Sequence, residues 1–379
     1  MTKREPEDTY LALLADHRLN GATYPKIEQI RIGASLFHLL PTLKAEEYPQ
    51  FISKLHLHQR YSAMEMNYVA HLTPRLELDQ STSSEITADK RGVFCSFHVG
   101  SYRLVVPWLI SEGHKITMLI DARVNAAIGQ HIERNAYEFL TSRGMDPRRL
   151  RVRDTAMPGV LRKIFRDSCE GYSPFIYVDG NLSLTDGDKS NSVFEFLGGK
   201  ISVKSGAAHL AKNLRLPLFV AIASSRPDAS VGPSKSVRIK KVAEAESLAL
   251  TMRQIWQSLE ERLRGEPTDW ESWRYIDRSL VLQPPPKIDA ELATKSQFLG
   301  DRDHLIFNQS RYVLDRVGEK LILFDRKHFV AHLISSAFWE FLDSARRAGS
   351  LSECDAFESL NESTVASLRS RDILIVKGA

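Results

Sequence analysis

From about Thr9 to Leu76 apolar residues recur at helical intervals: Leu11, Leu13 and Leu14, then Ile27, Ile30, Ile32, Leu36 and Leu39. Gly21, Pro25 and Pro41 interrupt the pattern, which therefore predicts several helices in a row. Beyond residue 90 the pattern changes, and short continuous apolar runs alternate with segments of helical period. Strands are expected at 91–97, 115–120, 150–152, 174–178, 216–223 and 236–242, and helices at 103–112, 125–143, 158–169, 205–214 and 244–264. A tryptophan-bearing segment, 267–278, closes this stretch. Such alternation predicts an α/β fold, a central mixed sheet flanked by helices.

Gln283-Pro284-Pro285-Pro286 then stops any regular element, because consecutive prolines continue neither a helix nor a central strand. After a polar stretch come two short strands, 312–315 and 320–324, joined across Arg316-Val317-Gly318-Glu319 as a hairpin. Helical patterns at 335–348, 354–360 and 363–369 and a last apolar strand, 373–376, complete a small winged-helix-like domain. The expected plan has four parts. Residues 1–90 form a helical region packing on the catalytic domain, and 91–282 form the α/β domain. A linker occupies 283–303, and 304–379 form the C-terminal domain.

Composition narrows the function classes. The 379 residues are 43% hydrophobic and 26% charged, as in ordinary globular chains, and a net charge of +4 gives no argument for nucleic acid. Basic residues nevertheless cluster: Arg143, Arg148, Arg149, Arg151, Arg153, Arg162, Lys163 and Arg166 share one short stretch. This stretch is either a solvated helix face or a patch for an anionic partner such as phosphopantetheine on a carrier protein, coenzyme A or lipid headgroups. Cys95, Cys169 and Cys354 lie far apart, which argues against a disulfide framework and against zinc and suits the cytosol. The polar opening Met-Thr-Lys-Arg-Glu-Pro-Glu-Asp argues against a signal peptide, and the apolar runs 104–110 and 216–223 are too short to cross a bilayer. The expected setting is cytoplasmic, with room for peripheral contact at the inner membrane.

One segment is well placed for chemistry. His98 follows an expected buried strand, beside Gly100 and at the mouth of a helix. Strand-to-helix turns in α/β folds bring side chains to the rim where ligands bind, and a neutral imidazole can take the proton of an attacking hydroxyl or amine. Taken alone, an isolated histidine is more often a satisfied structural residue. Asp179 ends the apolar run 174–178, either as a site residue or as a turn cap before Gly180-Asn181. Arg123 and Lys200 are candidates for binding phosphate or an oxyanion, against the alternative of plain surface charges. Trp270 and Trp273 read first as core packing.

From about Ile52 to Arg278 the chain resembles the lysophospholipid and lipid A late acyltransferase family. Phe97-His98-Val99-Gly100-Ser101-Tyr102 is similar to that family's His-Phe-Gly-Asn-Trp-Glu block, and Ile176–Asn181 to its Leu-Pro-Asp-Gln block. Phe194–Lys200 and Ser205–Ala211 resemble its Pro-Phe-Phe-Gly and Thr-Gly-Pro-Ala-Arg-Leu-Ala blocks. Pro267, Trp270 and Trp273 resemble its closing Pro-Glu-x-Trp-x-Trp. The resemblance implies a glycerolipid acyltransferase-like fold and an acyltransferase. His98 would be the base, and Gly100, Ser101, Arg103, Arg123, Asn181 and Lys200 would lie at the substrate. It implies no bound cofactor or metal, with acyl-carrier protein or acyl-coenzyme A as co-substrate.

The chain departs from the family at one position. The family places an acidic residue five positions after its histidine, and this chain has Arg103 there. An arginine cannot accept the imidazole N–H, and like-charge repulsion would lower the histidine pKa. Three readings follow: Asp179, or else Asp121, supplies the carboxylate from another strand end; His98 works without a partner acid; or the site has lost acyl transfer and only binds.

Beyond the prolines, Arg311–Leu314, Lys320–Phe324, Ser336–Leu342 and Leu368–Leu374 resemble the peptide chaperone of pyrroloquinoline quinone synthesis. That family shares the recognition element of enzymes that modify ribosomal peptides. The resemblance implies that a leader peptide binds as an added strand. Together the two resemblances imply fatty acylation of an amine or hydroxyl on a ribosomally made precursor peptide. The other readings are a peripheral lysophospholipid acyltransferase and a non-catalytic peptide-binding scaffold.

Overall fold

The computed structural model describes residues 12–17, 24–65, 77–78, 91–180, 191–226, 234–243, 245–282, 304–352, 356 and 360–376. The chain divides into two compact units. One comprises Met1–Thr23 with Gln50–Leu280, the other Tyr24–Pro49 with Val281–Ala379.

The larger unit is a mixed α/β domain around a mostly parallel sheet. Its strands are β1 (Glu77–Leu78), β2 (Val93–Ser96), β3 (Lys115–Ile120), β4 (Leu150–Asp154), β5 (Tyr172–Tyr177), β8 (Leu218–Arg226) and β9 (Ser234–Lys241), in the order β1-β9-β8-β2-β5-β3-β4. A separate antiparallel hairpin pairs β6 (Asn191–Phe196) with β7 (Gly199–Lys204). In the large sheet only the β8–β9 pair is antiparallel. β2 occupies the middle, and all four of its residues are buried, as expected of a strand covered on both faces. Backbone packing is tight where β2 begins: a Cβ on Gly92 would stand 2.4 Å from the Phe219 ring. One core cluster gathers Phe94, Leu104, Trp108, Leu109, Phe175 and Phe219. A run of ring contacts joins Phe97, Trp256, Trp270 and Trp273.

Most expected elements are present with ends shifted by a few residues. The β6–β7 hairpin was not expected. Its turn places Leu197 at φ 52°, a conformation that leucine rarely adopts, so the turn carries no ordinary sequence signal.

The smaller unit contains two three-stranded sheets. β11 (Tyr312–Val317), β12 (Lys320–Asp325) and β13 (Val330–Leu333) form an antiparallel meander. β10 (His304–Phe307) lies between β14 (Leu351–Ser352) and β15 (Leu374–Val376). Helices Ser336–Ala348 and Glu362–Ser370 contribute to a core that includes Leu305, Phe307, Leu323, Leu342, Val365 and Leu368. Two strands, β10 and β13, are added to the expected hairpin. Most of the helix expected at 354–360 lies outside the described residues, as does the linker expected at 283–303.

Residues 1–90 do not stay together as expected. Helix Lys26–Leu39 belongs to the smaller unit, because Ile30 and Ala34, one turn apart on it, bury against Ile322 and Phe324 of the meander. Lys26 Nζ meets Asp315 Oδ1 at 2.7 Å, and His38 Nε2 lies 3.0 Å from the Arg326 carbonyl. Helix Tyr48–Glu65 continues almost entirely in the larger unit.

Candidate active site

The chain leaves β2 through Phe97, which is fully buried, into His98. Segment 269–271 braces the turn that follows. The Glu271 N–H donates to the His98 carbonyl at 2.9 Å, Val99 and Trp270 form an antiparallel bridge, and the Gly100 N–H donates to the Asp269 carbonyl at 3.0 Å. Gly100 sits at φ 57°, a left-handed conformation open to glycine at little cost. Asp269 is itself held by His58 at 2.8 Å and by Arg262.

β5 runs parallel beside β2 with Ser96 opposite Tyr177, so the residues just past their ends converge. Asp179 stands there, fully buried. Its Oδ1 lies 2.8 Å from His98 Nδ1, and its Oδ2 accepts the His98 backbone N–H at 2.9 Å. The Trp270 Nε1–H and the Ser272 hydroxyl also donate to Oδ2, at 2.7 and 2.8 Å. Burial alone would raise the Asp179 carboxyl, but the attraction of His98 and these donors outweighs it and holds the group below the ordinary carboxylate range. Burial would likewise depress His98, but Asp179 and then Glu271 outweigh it, and the imidazole lies above its ordinary value.

With Asp179 ionised, Nδ1–H is the donor of the pair and Nε2 carries the lone pair. Nε2 has no hydrogen-bond partner among the described residues, and the His98 side chain is 26% exposed. Tyr102 and Tyr177 flank the ring at centroid distances of 4.8 and 4.6 Å. A base with one nitrogen fixed and the other facing outward is suited to moving a proton at the surface of the pocket.

Arg103 does not meet the imidazole as an unopposed like charge. Its Nη1 donates to Glu271 Oε1 at 3.1 Å and to Ser62 Oγ at 2.6 Å, and its guanidinium lies 4.3 Å from the centre of the Tyr102 ring. Tyr102 donates its hydroxyl to the other Glu271 oxygen at 3.1 Å. Arg103 still pushes the His98 pKa down, but less than Asp179 and Glu271 raise it, so the net direction is opposite to the one expected from sequence.

The other expected site residues divide into three groups. Gly100, Ser101 and Arg103 share the turn with His98, but the Gly100 N–H, the Arg103 Nη1 and the Ser101 hydroxyl are engaged by protein atoms; the Ser101 hydroxyl donates to Glu65 at 2.7 Å and the residue is buried. Lys200 is exposed on β7, opposite Glu195. Arg123 lies on helix Ala122–Ser142, and Asn181 falls outside the described residues. Asp121 follows β3, which β5 separates from the His98 strand, whereas Asp179 follows β5 itself. Trp270 packs in the core as expected and also donates to Asp179. Ser272 and Glu271 went unremarked in the sequence.

The basic stretch is less bare than its sequence suggests. Buried Asp167 takes Arg151 at 2.5 Å and Arg153 at 2.9 Å, and Arg148 pairs with Asp146. Among the described residues no group of three His, Cys, Asp or Glu side chains is arranged to hold a metal ion, and no helix is long and apolar enough to cross a membrane.

The larger unit thus has a histidine–carboxylate pair at the C-terminal rim of a mostly parallel sheet. No protein-family model matches the chain, and no curated protein matches it. Among solved structures it is similar to the 1-acyl-sn-glycerophosphate (LPA) acyltransferase PlsC from Thermotoga maritima, at 9% identity and a TM-score of 0.30. The match covers 64% of this chain and 98% of that one. Nothing about the site follows from that likeness.

Proposed function

We propose that the larger unit transfers a fatty acyl group from an acyl-carrier-protein or coenzyme A thioester to an amine or hydroxyl of a ribosomally made peptide. The smaller unit, a peptide-recognition domain of the winged-helix type, would hold the leader. The observation that carries the reading is the His98–Asp179 pair, with Nδ1 engaged at 2.8 Å and Nε2 open.

In this mechanism His98 Nε2 takes the proton of the attacking amine or hydroxyl as a C–N or C–O bond forms at the thioester carbon. The C–S bond then breaks, and the same nitrogen returns the proton to the departing thiolate. Asp179 holds the imidazole in one tautomer and stabilises its charged form. Gly100, Ser101 and Arg103 shape the wall, with Lys200 as a further substrate contact.

Two features support leader binding by the smaller unit. Strand β13 lies at the edge of its sheet and is exposed at all four positions, as added-strand recognition requires. A cavity of about 430 Å³ whose lining includes Phe338, Phe341, Leu351 and Leu360 offers room for apolar leader side chains.

Intact mass spectrometry of the candidate peptide with this protein and an acyl thioester tests the chemistry. The expected result is an acyl-sized increment that His98→Ala slows by about a hundredfold or more. An undiminished rate in that variant removes His98 from the reaction. Leu333, 70% exposed on β13, tests the leader site. Leu333→Asp is expected to weaken peptide binding about tenfold with melting unchanged, and unaltered affinity would end the leader-binding role. A lipid acceptor is the second reading, favoured by Leu161 and Phe165, which are 64% and 58% exposed on helix Val160–Cys169.

A further inference from the structure

Helix Val160–Cys169 shows an inverted pattern. It buries Ile164, Asp167 and Ser168, while Leu161 and Phe165 are 64% and 58% exposed. Met157, in the bend that precedes the helix, is 48% exposed. Leu161 and Phe165 are four apart on the helix, so their side chains form one short stripe, about 6 Å apart at a rise of about 1.5 Å per residue. Arg162 and Arg166 each follow one residue behind a member of the stripe, and Lys163 lies further round; all three are exposed.

The helix's acids do not neutralise these cations. Asp167 turns inward to Arg151 and Arg153, and Glu170 pairs with Arg151 at 2.6 Å. Arg162, Lys163 and Arg166 have no side-chain ion pair among the described residues. The helix starts at the same end of the sheet as the site, past its edge strand. β4 runs parallel to the strand of His98 and stands three positions from it, about 14 Å at ordinary strand spacing. Met157 follows β4 and so lies at the same rim of the sheet as His98 and Asp179.

We propose that this helix face docks the protein on an anionic lipid bilayer. The apolar side chains enter the acyl boundary and the three cations meet phosphate headgroups. An acidic carrier protein would satisfy the same charges. Bulky side chains that project outward suit a fluid apolar layer, which needs no matching cavity, better than a folded surface. The proposal is independent of the acyl-transfer reading, since it is measured without a thioester.

The test is flotation of the full chain with vesicles of phosphatidylcholine alone and of phosphatidylcholine mixed with phosphatidylglycerol. Binding to the mixed vesicles, weakened by salt, is expected. The double variant Leu161→Ser/Phe165→Ser should lose at least about tenfold in affinity. Changing Arg162, Lys163 and Arg166 to Gln should cost roughly fivefold for each charge. All five positions are exposed, so melting should stay unchanged, and that measurement accompanies each variant. Absence of binding to mixed vesicles overturns the proposal, as does equal binding by both variants. Capture of an acidic carrier protein through this face with no vesicle binding overturns it too.

Discussion

The two units each place a histidine Nδ1 2.8 Å from a buried aspartate, His98 on Asp179 and His328 on Asp325, yet the pairs differ in everything around them. Asp325 also accepts Arg311, with Nε on Oδ1 at 3.1 Å and Nη2 on Oδ2 at 2.9 Å. Burial would raise its carboxyl, but Arg311 and His328 bring it down to about 2. The charge of Asp325 is answered by a cation that cannot lose its proton. Around Asp179 the remaining donors are neutral: an indole, a hydroxyl and a backbone N–H. Only His98 can carry the compensating charge, and only His98 keeps an edge open, at 26% exposure against 6% for His328. A histidine–aspartate contact is therefore a fixed ion-pair cluster where arginine completes it, and leaves the imidazole as the group that gains or loses the proton where neutral donors do.

Substitution of the two aspartates is the largest test of that contrast. Asp179→Asn should lower the proposed acyl-transfer rate by about 10²–10⁴, because Nδ1 loses the acceptor that fixes its tautomer. Asp325→Asn should leave the rate within about twofold and lower the melting temperature instead. Equal rate losses would mean that the first pair is also only structural. Next in size, Arg311→Met strips the cation from Asp325 and should destabilise the smaller unit by about 3 kcal/mol in urea unfolding, the usual cost of breaking a buried ion pair. No measurable loss would show that the arginine does not define this cluster.

The two pairs also differ in how far the sequence reveals them. Strand β3 has the bounds its apolar run predicts, and its central neighbour β5 was located to within a few residues, because a buried central strand reads as a continuous apolar run. Short exposed strands such as β13 carry no such signal. Asp179 was legible as a strand-end acid, since the fold class brings neighbouring strand ends together. Its other donors were not: Trp270 and Ser272 lie 91 and 93 residues further along, and their arrival depends on how segment 269–271 bridges the turn after His98. The same holds for Arg103, whose charge misleads until Glu271, 168 residues away, is placed beside it.

Acidity should separate the pairs in opposite directions. His98 has a raised pKa, so its charged pairing with Asp179 stabilises the fold fully below the unfolded imidazole value of 6.5. That contribution is lost as pH rises through the higher folded value. The reactive base form appears over the same interval, so the acyl-transfer rate should climb above pH 6.5 as this contribution fades. Asp325 is depressed, so its contribution is present above the unfolded value of 3.8 and is lost as pH falls toward about 2. A rate profile and acid-unfolding curves check both. A rate that peaks below pH 6 would contradict the raised imidazole.

The smallest effect isolates one neutral donor. Trp270→Phe keeps a ring against Trp256 and Trp273 but removes the Nε1–H that meets Asp179 Oδ2 at 2.7 Å. Hydrogen bonds to a charged group contribute about 1.5–3 kcal/mol, and the Ser272 and backbone donors remain on the same oxygen. A carboxylate with one donor fewer is more basic and binds the imidazole proton more tightly, so the acid limb of the rate profile should move to higher pH. The rate at saturating base form should fall by about tenfold at most. A merely structural tryptophan would lower the melting temperature and leave that limb in place, so the shift of the limb separates positioning of Asp179 from packing.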